Sequence, residues 1–497
     1  MQDRTLRRSL VLLGLVIFVT AWFSALFYFP DEHYQVLEFM GLKLGITAPG
    51  ELPWEYGAHI RPWTQPFIYY VVARGAMALG LHDLFAVTFV LRFLTGLLSL
   101  GALALFARAV METMEQDEKQ AFAAYLPLLG FLPYLFARTS SETFAAAFFT
   151  AGVAFAMRGR KLFWAGMLCG LAFDSRYQAG IMVVGLAAWL ALIARARALS
   201  LIQFVVGVLA AVALGALADC WGYGFWNPTP WLYFKANLVD GIAAQKFGTD
   251  PVFAYLYLLP VQFFFAITLV VMAGMVAMWL RNPRHVLTWI SLPFVLVHMA
   301  LGHKEARFLF PLTIMATAFP VLGFSPHMAR GREWAARAWA WRSGWAARIV
   351  TGLSVAGMVV LAVYPFGFRP HMPMAQYIYR HFSNGIAAYS TDAELFASYP
   401  LYRPHSFQVT KAVSLDSLVD KGPVYLFAER PSLNALPPDI RATLIYSEFP
   451  FAGLGYDRLG SAYLDAVADF SAHAGRFLKL PRLSWITLYR LERTTRS

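Results

Sequence analysis

The 497-residue sequence predicts an all-helical polytopic membrane protein that carries a small mixed α/β region at its C-terminal end. Hydrophobic residues make up 59% of the chain and charged residues only 14%, against about 45–50% and about 25% in soluble proteins. The mean hydropathy is +0.53. The formal charge of +12 falls in short basic clusters between apolar runs, which indicates membrane orientation rather than a nucleic-acid surface.

The first apolar run extends from about residue 10 to residue 29 and follows a basic N-terminal stretch that ends at Arg8. A run of about 20 residues is long enough to cross roughly 30 Å of hydrocarbon. No small-residue cleavage site follows it, so we predict a retained first span rather than a signal peptide. The basic residues before it place the N-terminus in the cytoplasm.

Ten further apolar runs bring the predicted number of spans to eleven. With eleven spans, the basic clusters between the runs all fall on the same side as the N-terminus, as orientation rules require. The run 67–81 contains Arg74 and would reverse that sidedness, so we expect it to form a juxtamembrane or re-entrant helix. The ten runs are 84–110, 121–137, 139–157, 162–175, 178–194, 201–219, 254–280, 285–301, 308–325 and 349–366.

This topology divides the chain into a membrane domain, residues 1–366, and a tail, residues 367–497. Three segments of the membrane domain, 30–66, 220–253 and 302–307, face the extracytoplasmic side together with the tail. We refer to these three segments as the first, second and third outer loops.

The tail contains alternating apolar and polar runs at 424–428 and 484–491, which are typical of strands. Helices are expected near 371–382 and 461–470. The tail therefore predicts a small mixed α/β domain of about 130 residues.

Two adjacent carboxylates, Asp31 and Glu32, leave the first span at the lipid surface. Such a pair in a partly desolvated site can keep one carboxylate ionised as a general base. A structural interpretation is also open, because Asp31 after Pro30 suits the start of a short helix that runs to about Leu44.

The third outer loop contains four ionisable residues within a short stretch. If the tenth span begins here as a helix, Lys304 and Arg307, three residues apart, share one face and are able to clamp a phosphate. Snorkelling toward lipid headgroups is the structural alternative. Positive charge is disfavoured on the outer side, however, which favours a ligand.

Four charged residues lie in or beside apolar spans, where they should face the interior of the bundle. Arg138 and Glu142 are four residues apart, so the default expectation is an ion pair on one helix face. Arg176 lies beside Asp174 in a tight turn, where a local pair is likewise the structural interpretation. Contact with a ligand is the alternative for these residues. Arg92 is the remaining member of the set.

Several of these motifs together resemble glycosyltransferase family 22, the dolichol-phosphate-mannose-dependent mannosyltransferases of N-glycan and GPI-anchor assembly. That resemblance implies a GT-C-type glycosyltransferase fold for about eleven membrane helices. The matching stretches are Pro30 to Gln35, Trp54 to Tyr56, Arg61 and Pro62, Asp219 with Tyr223, Phe247 to Pro251 and His303 to Phe308.

The resemblance implies transfer of a sugar, mannose in this family, from a polyprenyl-phosphate donor to a hydroxyl of a lipid-linked or envelope glycan. Asp31 is then the base, with Glu32 orienting the acceptor or serving as the alternate base. The scheme inverts the anomeric centre and implies no metal or other cofactor. The implied donor-phosphate ligands are Lys304, Arg307, His303 and Arg61, and the implied substrate contacts are Trp54, Glu55, Tyr56, Asp219, Tyr223 and Glu305.

Membrane lipids and the two substrates are the expected partners, and nucleic acid is not. The compact loops favour a bacterial plasma membrane with the site facing outward, and an endoplasmic reticulum membrane with a lumenal site is the alternative. Three other functions stay open: a transporter or flippase of lipid-linked sugars, a GT-C transferase with another sugar donor or a protein acceptor, and a non-catalytic scaffold. A flippase would need charges along several central spans, whereas here they concentrate in the outer loops and near span ends.

Overall fold

Helices account for most of the described chain. The computed structural model describes residues 2–159, 161–263, 265–327, 344–363, 371–390, 399–403, 407–411, 423–428, 439–448 and 486–493, with residues 333 and 419. Apolar runs become helices because hydrocarbon offers no partner to a backbone N–H or C=O, and a helix pairs these groups internally.

In the first half of the chain, helices alternate with short connections. A side chain caps two of the long helices: Asp83 accepts a hydrogen bond from the amide of Ala86, and Ser140 accepts one from the amide of Thr143. The α-helices up to residue 192 are Gln2–Phe23, Pro30–Glu32, Glu38–Leu44, Trp54–Gly57, Thr64–Ala78, Leu84–Met111, Gln116–Tyr125, Leu132–Phe136, Ser141–Met157, Leu162–Ser175 and Ala179–Leu192.

The later helices include several that are short or bent. The α-helices after residue 192 are Ala198–Tyr223, Thr229–Phe234, Ile242–Phe247, Tyr255–Gln262, Phe265–Arg281, Val286–Ala300, Phe319–Phe324, Trp345–Val363 and Met372–His381. Single π-helical turns span His33–Leu37 and Lys235–Val239. The 3₁₀ segments are Pro49–Glu51, Leu126–Leu128, Ala306–Leu312, Met315–Thr317 and Pro400–Tyr402.

Four helices in the described part of the chain are long and apolar enough to cross a membrane, and two bent pairs raise the number to six. The four cover residues 4–23, 84–111, 198–223 and 345–363. The structure thus supports four to six candidate spans by length and composition, where the sequence predicts eleven. Three other predicted spans are apolar helices of 10–17 residues, Ser141–Met157, Leu162–Ser175 and Ala179–Leu192.

Prolines explain why other predicted spans are broken. The run 121–137 divides into short helices around Pro127 and Pro133, because a proline has no N–H to donate to the helix. The run 308–325 is largely 3₁₀ and bends by 76°. The run 67–81 forms the helix Thr64–Ala78, which is not among the candidate spans.

The helices that carry the site pack through glycines. A Cβ on Gly166 would lie 1.9 Å from the carbonyl oxygen of Phe204, and one on Gly207 would lie 2.1 Å from that of Phe163. The helices Leu162–Ser175 and Ala198–Tyr223 therefore touch backbone to backbone, as small residues allow in membrane bundles.

The tail contains a five-stranded mixed sheet, as its alternating runs predict. Its strands are β1 (Ile386–Ser390), β2 (Phe407–Lys411), β3 (Val424–Ala428), β4 (Ile440–Ser447) and β5 (Thr487–Arg493), in the order β2-β1-β3-β5-β4. β1 runs parallel to β2 and β3, and β5 runs antiparallel to β3 and β4. The predicted helix near 371–382 is confirmed as Met372–His381. The helix predicted near 461–470 lies outside the described residues.

A short segment after β1 returns to the membrane domain. We call residues 399–403 the anchor. The Tyr402 ring stacks on Phe85 at a centroid distance of 4.1 Å, and its hydroxyl lies 3.0 Å from the Thr88 Oγ1. The anchor therefore links the tail to the start of the helix Leu84–Met111.

Candidate active site

Residues 30–44 form one continuous helical segment, here called the first-loop helix. This confirms the short helix that the structural interpretation of Asp31 predicts. Pro30 occupies its first turn, where a missing N–H has no cost. The segment ends at Gly45, whose φ of 77° lies in the left-handed region that glycine adopts easily. Asp31 therefore sits in the first turn of this helix, next to the end of the first span.

Asp31 is the meeting point of the first and third outer loops. Its Oδ2 lies 2.6 Å from the Nη1 of Arg307 and 3.6 Å from the Nη2 of Arg61. The side chain keeps 22% of its surface exposed. A carboxylate between two guanidiniums, still open to solvent, is able to exchange a proton with a substrate.

Arg307 binds three carboxylates at once. Besides Asp31, it contacts Glu305 through Nε, and its Nη1 lies 3.3 Å from the Oε1 of Glu142. Burial opposes the charge of Glu305, but Arg307 and a hydrogen bond from His303 prevail and lower the pKa of Glu305 to about 2. Glu305 therefore stays ionised at physiological pH and balances Arg307.

Glu32 has surroundings very different from those of Asp31. It is 3% exposed, and its Oε1 accepts hydrogen bonds from the amide and the hydroxyl of Thr139, at 2.8 and 3.0 Å. Its Oε2 accepts a hydrogen bond from the amide of Tyr28 at 3.1 Å. Both oxygens of Glu32 are thus engaged in holding the turn that leads from the first span into the first-loop helix.

Lys304 links the second and third outer loops. It is only 1% exposed, and its ammonium donates to the carbonyls of Asp250, at 3.1 Å, and Leu301. Its amide donates to the Oδ2 of Asp250 at 2.8 Å. The Nε2 of His303 lies 2.9 Å from the Oε1 of Glu305. These contacts fix the loop that presents Arg307.

Asp219 and Tyr223 brace the stretch around Arg61. The Oδ1 of Asp219 accepts a hydrogen bond from the amide of Trp63 at 2.7 Å, and the hydroxyl of Tyr223 donates to the carbonyl of Arg61 at 2.8 Å. Gly222 permits this approach, since a Cβ there would lie 2.0 Å from the Trp63 ring. The first and second outer loops are therefore joined beneath Arg61.

The motif Trp54 to Tyr56 lies beside the same stretch. Glu55 accepts a hydrogen bond from the amide group of Gln35 at 2.9 Å and lies 3.4 Å from the Nη2 of Arg61. The Tyr56 ring packs on Tyr223 at a centroid distance of 5.8 Å. The Trp54 ring is 38% exposed, and the Lys246 ammonium lies 3.7 Å from its centroid. Trp54 is thus the accessible member of this motif.

The expected pair between Arg138 and Glu142 is wrong. The helix begins only at Ser141, so Arg138 precedes it and instead donates to the carbonyls of Ser24, at 3.1 Å, and Leu26. Glu142, in the first turn of that helix, faces the Arg307 cluster.

The expected pair between Arg176 and Asp174 is also wrong. The Nη2 of Arg176 lies 3.3 Å from the Oε1 of Glu142 instead. Sequence reasoning therefore missed Glu142 and Arg176 as members of the site, although their charge beside apolar spans was the available signal.

Contacts among the three outer loops require them to lie at the same end of the helical bundle, as the predicted topology has them. Among the described residues, no group of three or more His, Cys, Asp or Glu side chains is arranged to hold a metal ion. The site is a carboxylate and guanidinium cluster at the mouth of a helical membrane domain.

The fold and the site define a class, that of multi-pass membrane proteins with a cluster of ionisable side chains where loops meet at one end of the helices. Residues 9–392 match the Alg9-like mannosyltransferase family, and the chain belongs to that family. The resemblance to glycosyltransferase family 22 is thereby confirmed.

One curated relative is the "Probable Dol-P-Man:Man(7)GlcNAc(2)-PP-Dol alpha-1,6-mannosyltransferase" of Schizosaccharomyces pombe. It is 33% identical over 101 residues, which are 20% of this chain and 18% of that protein. The match thus spans less than a fifth of the length of the relative.

Two solved structures are similar in outline. ArnT from Cupriavidus metallidurans bound to undecaprenyl phosphate is 14% identical, with 88% of this chain and 95% of that chain covered and a TM-score of 0.49. The Archaeoglobus fulgidus oligosaccharyltransferase in the apo form is 10% identical, with 85% and 69% covered and a TM-score of 0.49.

Proposed function

We propose that this protein transfers a mannosyl group from a polyprenyl-phosphate donor to a hydroxyl of a lipid-linked or envelope glycan, at the extracytoplasmic surface of a bacterial plasma membrane. Family membership supports the reaction class. The observation that carries the proposal is Asp31, a partly exposed carboxylate held between Arg307 and Arg61 at the junction of the outer loops.

Asp31 acts as the general base. As the acceptor oxygen forms its bond to the anomeric carbon, the acceptor proton passes to the Asp31 carboxylate. The bond between the anomeric carbon and the phosphate oxygen breaks, and the polyprenyl phosphate leaves with the electron pair. This single displacement inverts the anomeric centre, and the phosphate needs no proton to leave.

Arg307 and Arg61 stabilise the charge that develops on the leaving phosphate. Both guanidiniums contact the Asp31 carboxylate, so an incoming phosphate would replace the contact between Arg307 and Asp31. That exchange frees Asp31 to accept the acceptor proton. Donor binding thereby prepares the base.

Lys304 and His303 serve the phosphate through the loop that they shape. The Lys304 ammonium is committed to backbone carbonyls, so it contributes positive potential while it fixes residues 302–307. His303 bonds to Glu305 and keeps that carboxylate aligned with Arg307.

The other residues of the family motifs divide into those that support the site and one that is exposed. Glu32 fixes the turn that carries Asp31, since both of its oxygens already accept hydrogen bonds. Glu55, Tyr56, Asp219 and Tyr223 fix Arg61. The exposed Trp54 ring is the member available to stack on a sugar or lipid.

A transfer assay with defined substrates tests the proposal. The full-length chain, purified in detergent, is incubated with polyprenyl-phosphate mannose carrying ¹³C in the sugar and with a glycolipid extract from cells that lack the protein. We expect a lipid product heavier by one labelled hexose, and none with Asp31→Asn. Transfer from a nucleotide sugar alone, or no labelled product in any lipid fraction, would contradict the proposal.

A further inference from the structure

A cleft of about 370 Å³ opens beside Asp31, between the first-loop helix, the helix Ser141–Met157 and the turn at residues 175–178. A residue of the second outer loop, Tyr233, closes its rim. Small-molecule sites are typically concave and carry a few directed polar groups, and the lining of this cleft is of that kind.

The cleft is connected to the base by two routes. Arg61 lines it and lies 3.6 Å from the Oδ2 of Asp31. Arg176 lines it as well and shares the Oε1 of Glu142 with Arg307, at 3.3 Å on each side, and Arg307 in turn contacts Asp31. A ligand in the cleft would therefore lie next to the reacting groups.

Four polar atoms of the lining have no hydrogen-bond partner among the described residues: Arg61 Nε, Gln65 Oε1, Arg176 Nη1 and Gln178 Oε1. Arg176 is only 5% exposed, so its unpaired N–H is shielded from bulk water. Buried polar groups are nearly always paired, so such a group needs an explanation. Two unpaired donors and two unpaired acceptors from separate parts of the chain converge on one cleft.

The charge of Arg176 is already balanced. Its Nη2 pairs with Glu142, so the remaining N–H offers a hydrogen bond rather than a free positive charge. The nitrogen of the Gln178 amide donates to the hydroxyl of Tyr233, which directs the amide oxygen elsewhere. A hydroxyl group both donates and accepts, so a polyol satisfies both Arg176 and Gln178, whereas a phosphate can only accept from Arg176.

We propose that this cleft binds a hexose ring, with Arg176 and Gln178 as its polar contacts. The proposal rests on the proposed glycosyl transfer, and the ring belongs either to the donor or to the terminal sugar of the acceptor. Both sources share the same chemistry of neutral, closely spaced hydroxyls. The Tyr177 and Tyr233 rings, whose centroids are 5.3 Å apart, supply the apolar surface that such a ring packs on.

Kinetics of Gln178→Ala identify the source of the ring. We expect a threefold to tenfold rise, about the value of one neutral hydrogen bond, in the KM for polyprenyl-phosphate mannose or in the acceptor concentration for half-maximal rate. A rise in the donor KM assigns the ring to the donor, and a rise in the acceptor concentration for half-maximal rate assigns it to the acceptor. Gln245→Ala, on the exposed part of the second outer loop, is the matched control and should change neither. Gln178→Asn, which withdraws the amide by one carbon, serves if the alanine variant does not fold.

A binding measurement separates this inference from the proposed function. Methyl α-mannopyranoside should raise the Tm of the wild-type chain more than that of Gln178→Ala, while inorganic phosphate should affect both alike. If the mannoside discriminates between them but the wild type transfers no mannose, the proposed function fails and the cleft stands. If neither the kinetics nor the mannoside distinguishes Gln178→Ala from wild type, or if only phosphate does, the hexose site is overturned.

Discussion

The two sides of the first-loop helix differ sharply. On one side, the Asp31 carboxylate is partly exposed and lies near two guanidinium groups, those of Arg307 and Arg61. On the other side, His33 and Glu38 are fully buried, at 0% exposure each, and lie 2.7 Å apart. One short helix thus presents a reactive carboxylate in one direction and a closed polar cluster in the other.

The closed side is completed by the tail. The Oε1 of Glu38 accepts a hydrogen bond from the amide of Leu401 at 3.1 Å, and the Oε2 accepts one from the Thr47 hydroxyl at 2.5 Å. The Tyr402 ring stacks on His33 at a centroid distance of 5.6 Å. The anchor therefore packs behind the residue that we assign as base. The accessible carboxylate on one side of the first-loop helix is therefore held in place by buried contacts on the other side.

The largest effect on activity is expected from Asp31→Asn, on the exposed side of the first-loop helix. The amide cannot accept the acceptor proton, so we expect transfer to fall by at least about 10²–10⁴-fold while the chain inserts and unfolds as the wild type does. Turnover in the labelled-mannose assay and thermal unfolding in detergent measure the two quantities. Near wild-type turnover would remove Asp31 as the base.

The corresponding change on the closed side is Glu38→Ala. It leaves a buried His33 without its carboxylate and the Leu401 amide without an acceptor, so we expect a loss of about 3–5 kcal/mol in unfolding free energy. Glu51→Ala, at a half-buried position of the same loop, breaks a contact with Arg403 and the hydrogen bond from the Ala48 amide, and should cost about 1–2 kcal/mol. Equal destabilisation by the two variants would refute the distinction between the sides.

A smaller effect is expected from Arg307→Ala, which removes the cation that we assign to the phosphate. A hydrogen bond to a charged group contributes about 1.5–3 kcal/mol, so kcat/KM for the donor should fall about 10–150-fold with the acceptor dependence unchanged. Arg307→Lys keeps the charge and tests whether geometry matters, and Arg158→Lys, at a partly exposed pair with Glu112, is the control. An unchanged donor KM and kcat in both Arg307 variants would exclude the phosphate role.

The smallest expected effect is that of Tyr402→Phe in the anchor. It removes one hydroxyl contact with Thr88 and keeps the ring stacked on His33 and Phe85, so we expect a loss of about 0.5–1.5 kcal/mol in stability. The kcat of the folded fraction should stay as in the wild type. A large fall in kcat without a change in Tm would show that the anchor acts on the chemistry rather than on stability.

Much of the architecture was readable in advance because hydrophobicity and charge are local properties. The helix Leu162–Ser175 and the strand Val424–Ala428 coincide with predicted ranges. Hydropathy predicts eleven spans, whereas four to six helices or bent helix pairs of the described residues are long and apolar enough to cross a membrane. Prolines such as Pro127 and Pro133 divide apolar runs into shorter helices in a way that hydropathy alone does not register.

Residue type and order alone establish the membrane class and the family motifs, and they mark Asp31 and Arg307 as candidates for one site. Only the tertiary structure decided the partners. In the folded chain, Glu32 is buried and bonded to Thr139 while Asp31 stays exposed, Glu142 pairs with Arg176, and a cleft lies beside this pair. The reason is physical. A residue's chemistry is a property of its own side chain, whereas its hydrogen-bond partners and its burial depend on how separate parts of the chain pack.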